Sequence, residues 1–94
     1  MIRWTEQAIE QLDRAREYIA GTNSAAVADE VTARIFDAVQ RLAVFPLSGR
    51  RGRVRRTREL IVVDTPFVVA YTVNDGEVVV LALYHGAQRW PEAF

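Results

Sequence analysis

The stretch Phe67-Val68-Val69-Ala70-Tyr71-Thr72-Val73-Asn74-Asp75-Gly76-Glu77-Val78-Val79-Val80-Leu81-Ala82-Leu83-Tyr84 decides the fold. Two runs of β-branched, aromatic and aliphatic residues flank Asn-Asp-Gly, a triplet that accepts the positive φ angles of a tight hairpin turn. Both runs are apolar on both faces. They are therefore read as central strands, with one face on helices and the other at least partly covered. His85-Gly86 ends the second run. Upstream, Leu60-Ile61-Val62-Val63 is another apolar run, connected to Phe67 by the turn-forming Asp64-Thr65-Pro66.

Ahead of this meander the period changes from strand to helix. Ile2-Arg3-Trp4 is a short β-prone segment, and Thr5 can cap a helix with Glu6 in its first turn. Ala8, Leu12, Ala15 and Ile19 recur at helical spacing and form one apolar stripe. Gly21-Thr22-Asn23 stops this helix, with Gly21 as its expected C-cap. Asn23 or Ser24 starts a second helix. Its buried stripe is Val27, Val31, Ile35, Ala38, Val39 and Leu42, with Phe36 and Phe45 as candidate additions. The helix ends before Pro46. The expected order is β-α-α-β-β-β, an α+β domain with a helical hairpin packed on one face of a small, mainly antiparallel sheet.

At 94 residues the chain is read as one domain, 1–94, burying roughly 60–65% of its unfolded surface. Half of the residues are apolar and the formal net charge is zero. Without cysteine there are no disulfides or thiolate sites, and a single histidine argues against a protein-only zinc site. No metal and no cofactor are expected. No apolar run approaches the ~20 residues of a membrane helix. The opening Met1-Ile2-Arg3-Trp4-Thr5-Glu6 does not read as a signal peptide. The cytoplasm is the expected location, with no membrane partner.

Charge is concentrated in Gly49-Arg50-Arg51-Gly52-Arg53-Val54-Arg55-Arg56-Thr57-Arg58-Glu59, which holds six of the chain's twelve basic residues. Two readings stand. The run is a solvated face, or it is a handle for a phosphate-rich or acidic partner. Arginine favours the second, because a planar guanidinium grips phosphate or carboxylate in bidentate fashion. The absence of lysine from the whole chain discounts that preference. Arg50 and Arg51 are expected in a mobile loop between glycines. Arg56 and Arg58 are expected on one side of the first meander strand, as a fixed pair suited to a partner carboxylate or an internal salt bridge.

Few other residues suggest chemistry. His85, the only histidine, sits at a strand end where a proton-moving imidazole can face a cleft; it can equally bond a backbone carbonyl and finish the sheet. Tyr71 and Tyr84 could lend hydroxyls to a site or be core residues with satisfied polar tips. Trp4 and Trp90 read as packing residues, Trp90 also as part of a partner patch. No glycine-rich phosphate loop, paired carboxylates or serine triad can be assembled.

Taken in order, the chain resembles the RelE/ParE superfamily of type II toxin–antitoxin toxins. The resemblance is carried by Trp4-Thr5-Glu6-Gln7-Ala8 with Leu12 and Tyr18-Ile19, and by Leu42-Ala43-Val44-Phe45-Pro46 before the Gly-Arg stretch. It continues through Arg58-Glu59-Leu60-Ile61-Val62 and Phe67-Val68-Val69-Ala70-Tyr71-Thr72-Val73, and ends at Leu83-Tyr84-His85-Gly86-Ala87-Gln88-Arg89-Trp90-Pro91. It implies a cognate antitoxin as partner, a role in plasmid stabilisation, and one of two targets. ParE-like members poison DNA gyrase without a known catalytic site. RelE-like members are mRNA interferases that cleave mRNA on the ribosome. The nuclease branch carries an arginine two places into the strand that here reads Phe67-Val68-Val69-Ala70-Tyr71, and Val68 stands in its place. Tyr84-His85 resembles a strand ending in that branch, and Arg89 could supply displaced charge.

The chain therefore reads as a ParE-like gyrase poison. In the nuclease alternative, His85, Tyr84 and Arg89 are catalytic and the six arginines of the run hold RNA phosphates. A third reading is a non-toxic antitoxin-binding domain. Arg50, Arg51, Arg53, Arg55, Arg56, Arg58 and Trp90 are the candidate partner-binding or nucleic-acid-binding residues. Oligomers are expected only as toxin–antitoxin complexes. Antitoxin could cover the helical hairpin or a sheet edge with apolar residues, or mask the arginine run with acidic ones.

Overall fold

The computed structural model of the chain describes residues 1–86. Within them, β1 (Ile2–Trp4) leads into α1 (Glu6–Thr22) and α2 (Ala25–Gln40), followed by a 3-10 turn at Arg41–Ala43. Four strands complete the fold: β2 (Arg50–Arg51), β3 (Arg58–Ile61), β4 (Phe67–Asn74) and β5 (Glu77–His85). The sheet order is β1-β5-β4-β3-β2; only the β1–β5 pairing is parallel. The α+β class and the helical hairpin on a mainly antiparallel sheet are as the sequence implies. The order gains one strand, β-α-α-β-β-β-β, because Arg50–Arg51 pairs with Arg58–Glu59 instead of remaining a loop.

Local chemistry accounts for the helix ends. The Thr5 hydroxyl accepts from the Ala8 N–H at 3.2 Å and donates to the Leu81 carbonyl at 3.1 Å, so one side chain caps α1 and ties it to β5. The Ser24 hydroxyl accepts from the Val27 N–H and caps α2. Gly21 lies inside α1, which runs to Thr22 and is closed by the Asn23 N–H on the Ile19 carbonyl. A glycine tolerates helical φ and ψ, so its presence alone does not end a helix.

The core lies between the hairpin and one sheet face. Ala8, Ile35, Ala38 and Val39 meet Val62, Phe67, Val69, Val80 and Leu83 there, with Trp4, Leu12, Ala15, Ile19 and Val31 packed around them. Phe36 and Phe45 do not join: they are 48% and 62% exposed. Ala28, absent from the expected stripe, is fully buried. The turn at Asp75 (φ 49°) and Gly76 (φ 81°) has the two positive φ angles expected of a two-residue hairpin loop.

The β4–β5 register contains an irregularity that period-2 reasoning cannot foresee. Ala70 pairs with Ala82 but Tyr71 pairs with Val80, leaving Leu81 as an extra residue. Such a bulge inverts the facing of everything beyond it. Val78 and Val80 face the helices, and so do Leu83 and His85, while Ala82 and Tyr84 lie on the opposite face with Ala70.

Tyr71 is fully buried. Its hydroxyl donates to the Pro46 carbonyl at 2.8 Å and accepts from the Gly49 N–H at 2.9 Å. A Cβ at position 49 would sit 2.6 Å from that hydroxyl oxygen, so the site requires glycine. Tyr71→Phe strips both backbone groups of their partner. It should cost about 1–3 kcal/mol, read as a lower urea midpoint with an unchanged m-value.

Candidate functional site

Strand alternation divides the arginine run between the two faces of the sheet. Arg50 pairs with Glu59, and Arg51 with Arg58. Leu60, on the same face as Arg58, packs into the core with Tyr71 and Leu42, so Arg58 and Arg51 lie on the helix-bearing face. Arg50 and Glu59 lie on the other.

Glu59 is the charged centre of the loop and is 3% exposed. Its Oε1 accepts from Arg50 Nε at 3.1 Å and Nη2 at 2.9 Å. Its Oε2 accepts from the Arg53 backbone N–H at 2.8 Å and from Arg53 Nε at 3.3 Å. Burial on its own would raise the Glu59 pKa. The Arg53 N–H, the Arg50 guanidinium and the two nearby positive charges outweigh burial and hold the carboxyl below its ordinary value. The internal salt bridge expected at Arg56 and Arg58 is thus made by Arg50 and Arg53.

Arg56 does not lie on a strand. It occupies a left-handed turn (φ 65°) closed by the Thr57 N–H on the Val54 carbonyl and by the Gly52 N–H on the Thr57 carbonyl at 2.8 Å. A Cβ on Gly52 would fall 2.2 Å from Thr57 Oγ1, so the close approach requires glycine. Arg58 Nη1 donates to the carbonyls of Leu47 at 3.3 Å and Gly49 at 2.9 Å. Arg51, Arg55, Arg56 and Arg58 line a cleft of about 510 Å3.

The second concavity, about 460 Å3, lies between α1 and the ends of β4 and β5. His85 reaches it beside Gln11, Arg14 and Tyr18, with its ring edge-on to Phe67 at 5.8 Å between centroids. Gln11 Oε1 accepts from the Leu83 N–H at 2.8 Å. Tyr84 is buried. Burial raises its pKa, and a hydrogen bond from the Gln11 side chain works against that rise. Tyr84 packs with Ala70 and Ala82 on one face of the sheet and His85 reaches the cleft on the other, while Gln11 is common to both, bonding Tyr84 and lining the His85 cleft. Val68, where the nuclease reading needs an arginine, is 8% exposed and pairs with Tyr84 beside Ala70 and Ala82. Arg89 and Trp90 lie outside the described residues.

Sequence reasoning did not select Gln11, Arg14 and Tyr18 as neighbours of His85. Their spacing along one helix face was available, but not which face met the strand end. Among the described residues no three His, Cys, Asp or Glu side chains converge as a metal site, and no helix is long and apolar enough to cross a membrane.

These features match a known family. Residues 2–90 fit the model described as the ParE toxin of the type II toxin–antitoxin system, parDE. The Y4kP protein of Sinorhizobium fredii is 42% identical over 91 residues, covering 97% of this chain and 93% of its own. Toxin RelE2 of Caulobacter vibrioides is 36% identical over 85 residues, covering 90% and 93%. The chain belongs to the ParE toxin family. Its fold is that of a chain in the chromosomal ParDE toxin–antitoxin system from P. aeruginosa, with a TM-score of 0.82 at 22% identity and coverage of 89% and 92%.

Glu59→Gln should cost about 2 kcal/mol, tempered because both arginine side chains are half exposed. The folded pKa of Glu59 is depressed, so its contribution is complete above its ordinary value of 4.5 and is lost as pH falls below that value. Urea titrations at a series of acid pH values should therefore show a shallower loss of stability in Glu59→Gln than in the parent chain. Arg56→Gly should leave stability equal or raise it by about 1 kcal/mol, because glycine adopts the left-handed turn without strain; thermal unfolding measures this.

Proposed function

We propose that this toxin arrests growth by poisoning DNA gyrase in the cytoplasm and is held inactive by a cognate antitoxin. The observation that carries this reading is Val68. It lies in the apolar layer of β4, where a phosphodiester-cleaving site would need a positive group for transition-state charge. Membership of the ParE family adds to it. The exposed apolar step Val44-Phe45-Pro46-Leu47 suits cover by apolar antitoxin residues.

The relative named Toxin RelE2 and the cleft around His85 favour mRNA cleavage as the second reading. A coupled cell-free reaction scoring translation and plasmid supercoiling in parallel separates the two. The expected result is loss of supercoiling with cleaved DNA, intact transcripts, and full activity in His85→Ala. Ribosome-dependent mRNA cleavage that disappears in His85→Ala, with supercoiling untouched, would replace the first reading with the second.

A further inference from the structure

The cleft lined by Arg51, Arg55, Arg56 and Arg58 is unexplained by stability. Arg51 and Arg58 face each other across an antiparallel pair, where like charges destabilise. Arg56 is held in a left-handed conformation that costs an L-residue about 1–2 kcal/mol. Among the described residues no acidic side chain lines the cleft. The nearby carboxylate, Glu59, is on the other sheet face and engages Arg50 and Arg53 through both oxygens. Among the described residues Arg51, Arg55 and Arg56 form no salt bridge. Arg58 is already oriented, with Nη1 fixed by two carbonyls and its Nη2 and Nε donors available.

We propose that this cleft binds a compact, multiply charged phosphate: the di- or triphosphate group of a nucleotide, or an inorganic polyphosphate. Four guanidiniums from three segments of chain converge on one concavity instead of forming a stripe. Isolated carboxylates, or backbone phosphates spread along a strand, would relieve only part of that repulsion. A terminal phosphate carries about −1.5 to −2 at neutral pH, each further phosphate adds charge, and guanidinium forks match phosphate oxygens in bidentate fashion. The volume of about 510 Å3 falls in the range of small-molecule sites. Leu47 and Val73 supply apolar wall on which a nucleobase can rest. The inference does not depend on which target the toxin attacks.

Calorimetric titration of the purified chain with tripolyphosphate, and separately with ATP, tests the site. Saturable one-to-one binding is expected, weakening as salt rises. Arg55→Gln/Arg58→Gln should reduce affinity by about tenfold or more, about 1.4 kcal/mol. Arg16→Gln/Arg34→Gln, with the same charge change on α1 and α2, should leave it unchanged. Arg56→Gly keeps the turn and should still lose affinity, which separates binding from folding. Equal affinity for both probes identifies inorganic polyphosphate as the source. Tighter ATP binding that Leu47→Ser abolishes identifies a nucleotide. Absence of saturable binding, an equal loss in the remote double variant, or tighter binding of a short oligonucleotide at matched total charge would overturn the proposal.

Discussion

One buried carboxylate organises the charged half of this molecule. Glu59 takes four N–H groups onto its two oxygens, one of them the backbone amide of Arg53. Without it, Arg50 and Arg53 would join four neighbouring arginines in one field of like charge. With it, the chain turns back on itself tightly enough for Arg50–Arg51 to become the edge strand β2. Charge-assisted hydrogen bonds contribute about 1.5–3 kcal/mol each, enough to outweigh a strained Arg56 turn and one opposed arginine pair. The order of magnitude decides the matter: a loop of this charge is ordered because its counter-ion is desolvated and fully bonded.

The same loop leans on the core through Tyr71. Its side chain is part of the apolar cluster with Leu42 and Val78, and its hydroxyl bridges Pro46 and Gly49 at the base of the loop. Packing and polar satisfaction are thus achieved by one residue, so a change in the core reaches the basic surface directly. Gly49 and Gly52 belong to this arrangement because neighbouring atoms occupy the space a Cβ would need.

The facing pattern of the sheet sorts the side chains at the strand ends. The strand end presents His85 to a helix-side cleft with Gln11, Arg14 and Tyr18, while Tyr84 and Val68 belong to the opposite layer. A surface built this way offers shape and charge for binding a partner.

The sequence by itself determined the α+β class, the two caps at Thr5 and Ser24, the Asp75-Gly76 turn and most of the helical stripe. Those features depend on neighbours three or four residues away, or on the φ preference of a single residue. The concentration of arginine was equally legible, as was its end at Glu59. Three things were decided only by tertiary structure. The bulge at Leu81 depends on pairing between two strands and inverts the facing of His85 and Tyr84. The partners of Glu59 depend on a loop folding back across the sheet, so Arg50 and Arg53 took the role that spacing assigned to Arg56 and Arg58. The exposure of Phe36 on α2 and of Phe45 beyond the 3-10 turn followed from how far the opposing surface extends. An apolar residue at helical spacing is buried only if an opposing surface reaches it, and periodicity carries no information about where that surface ends.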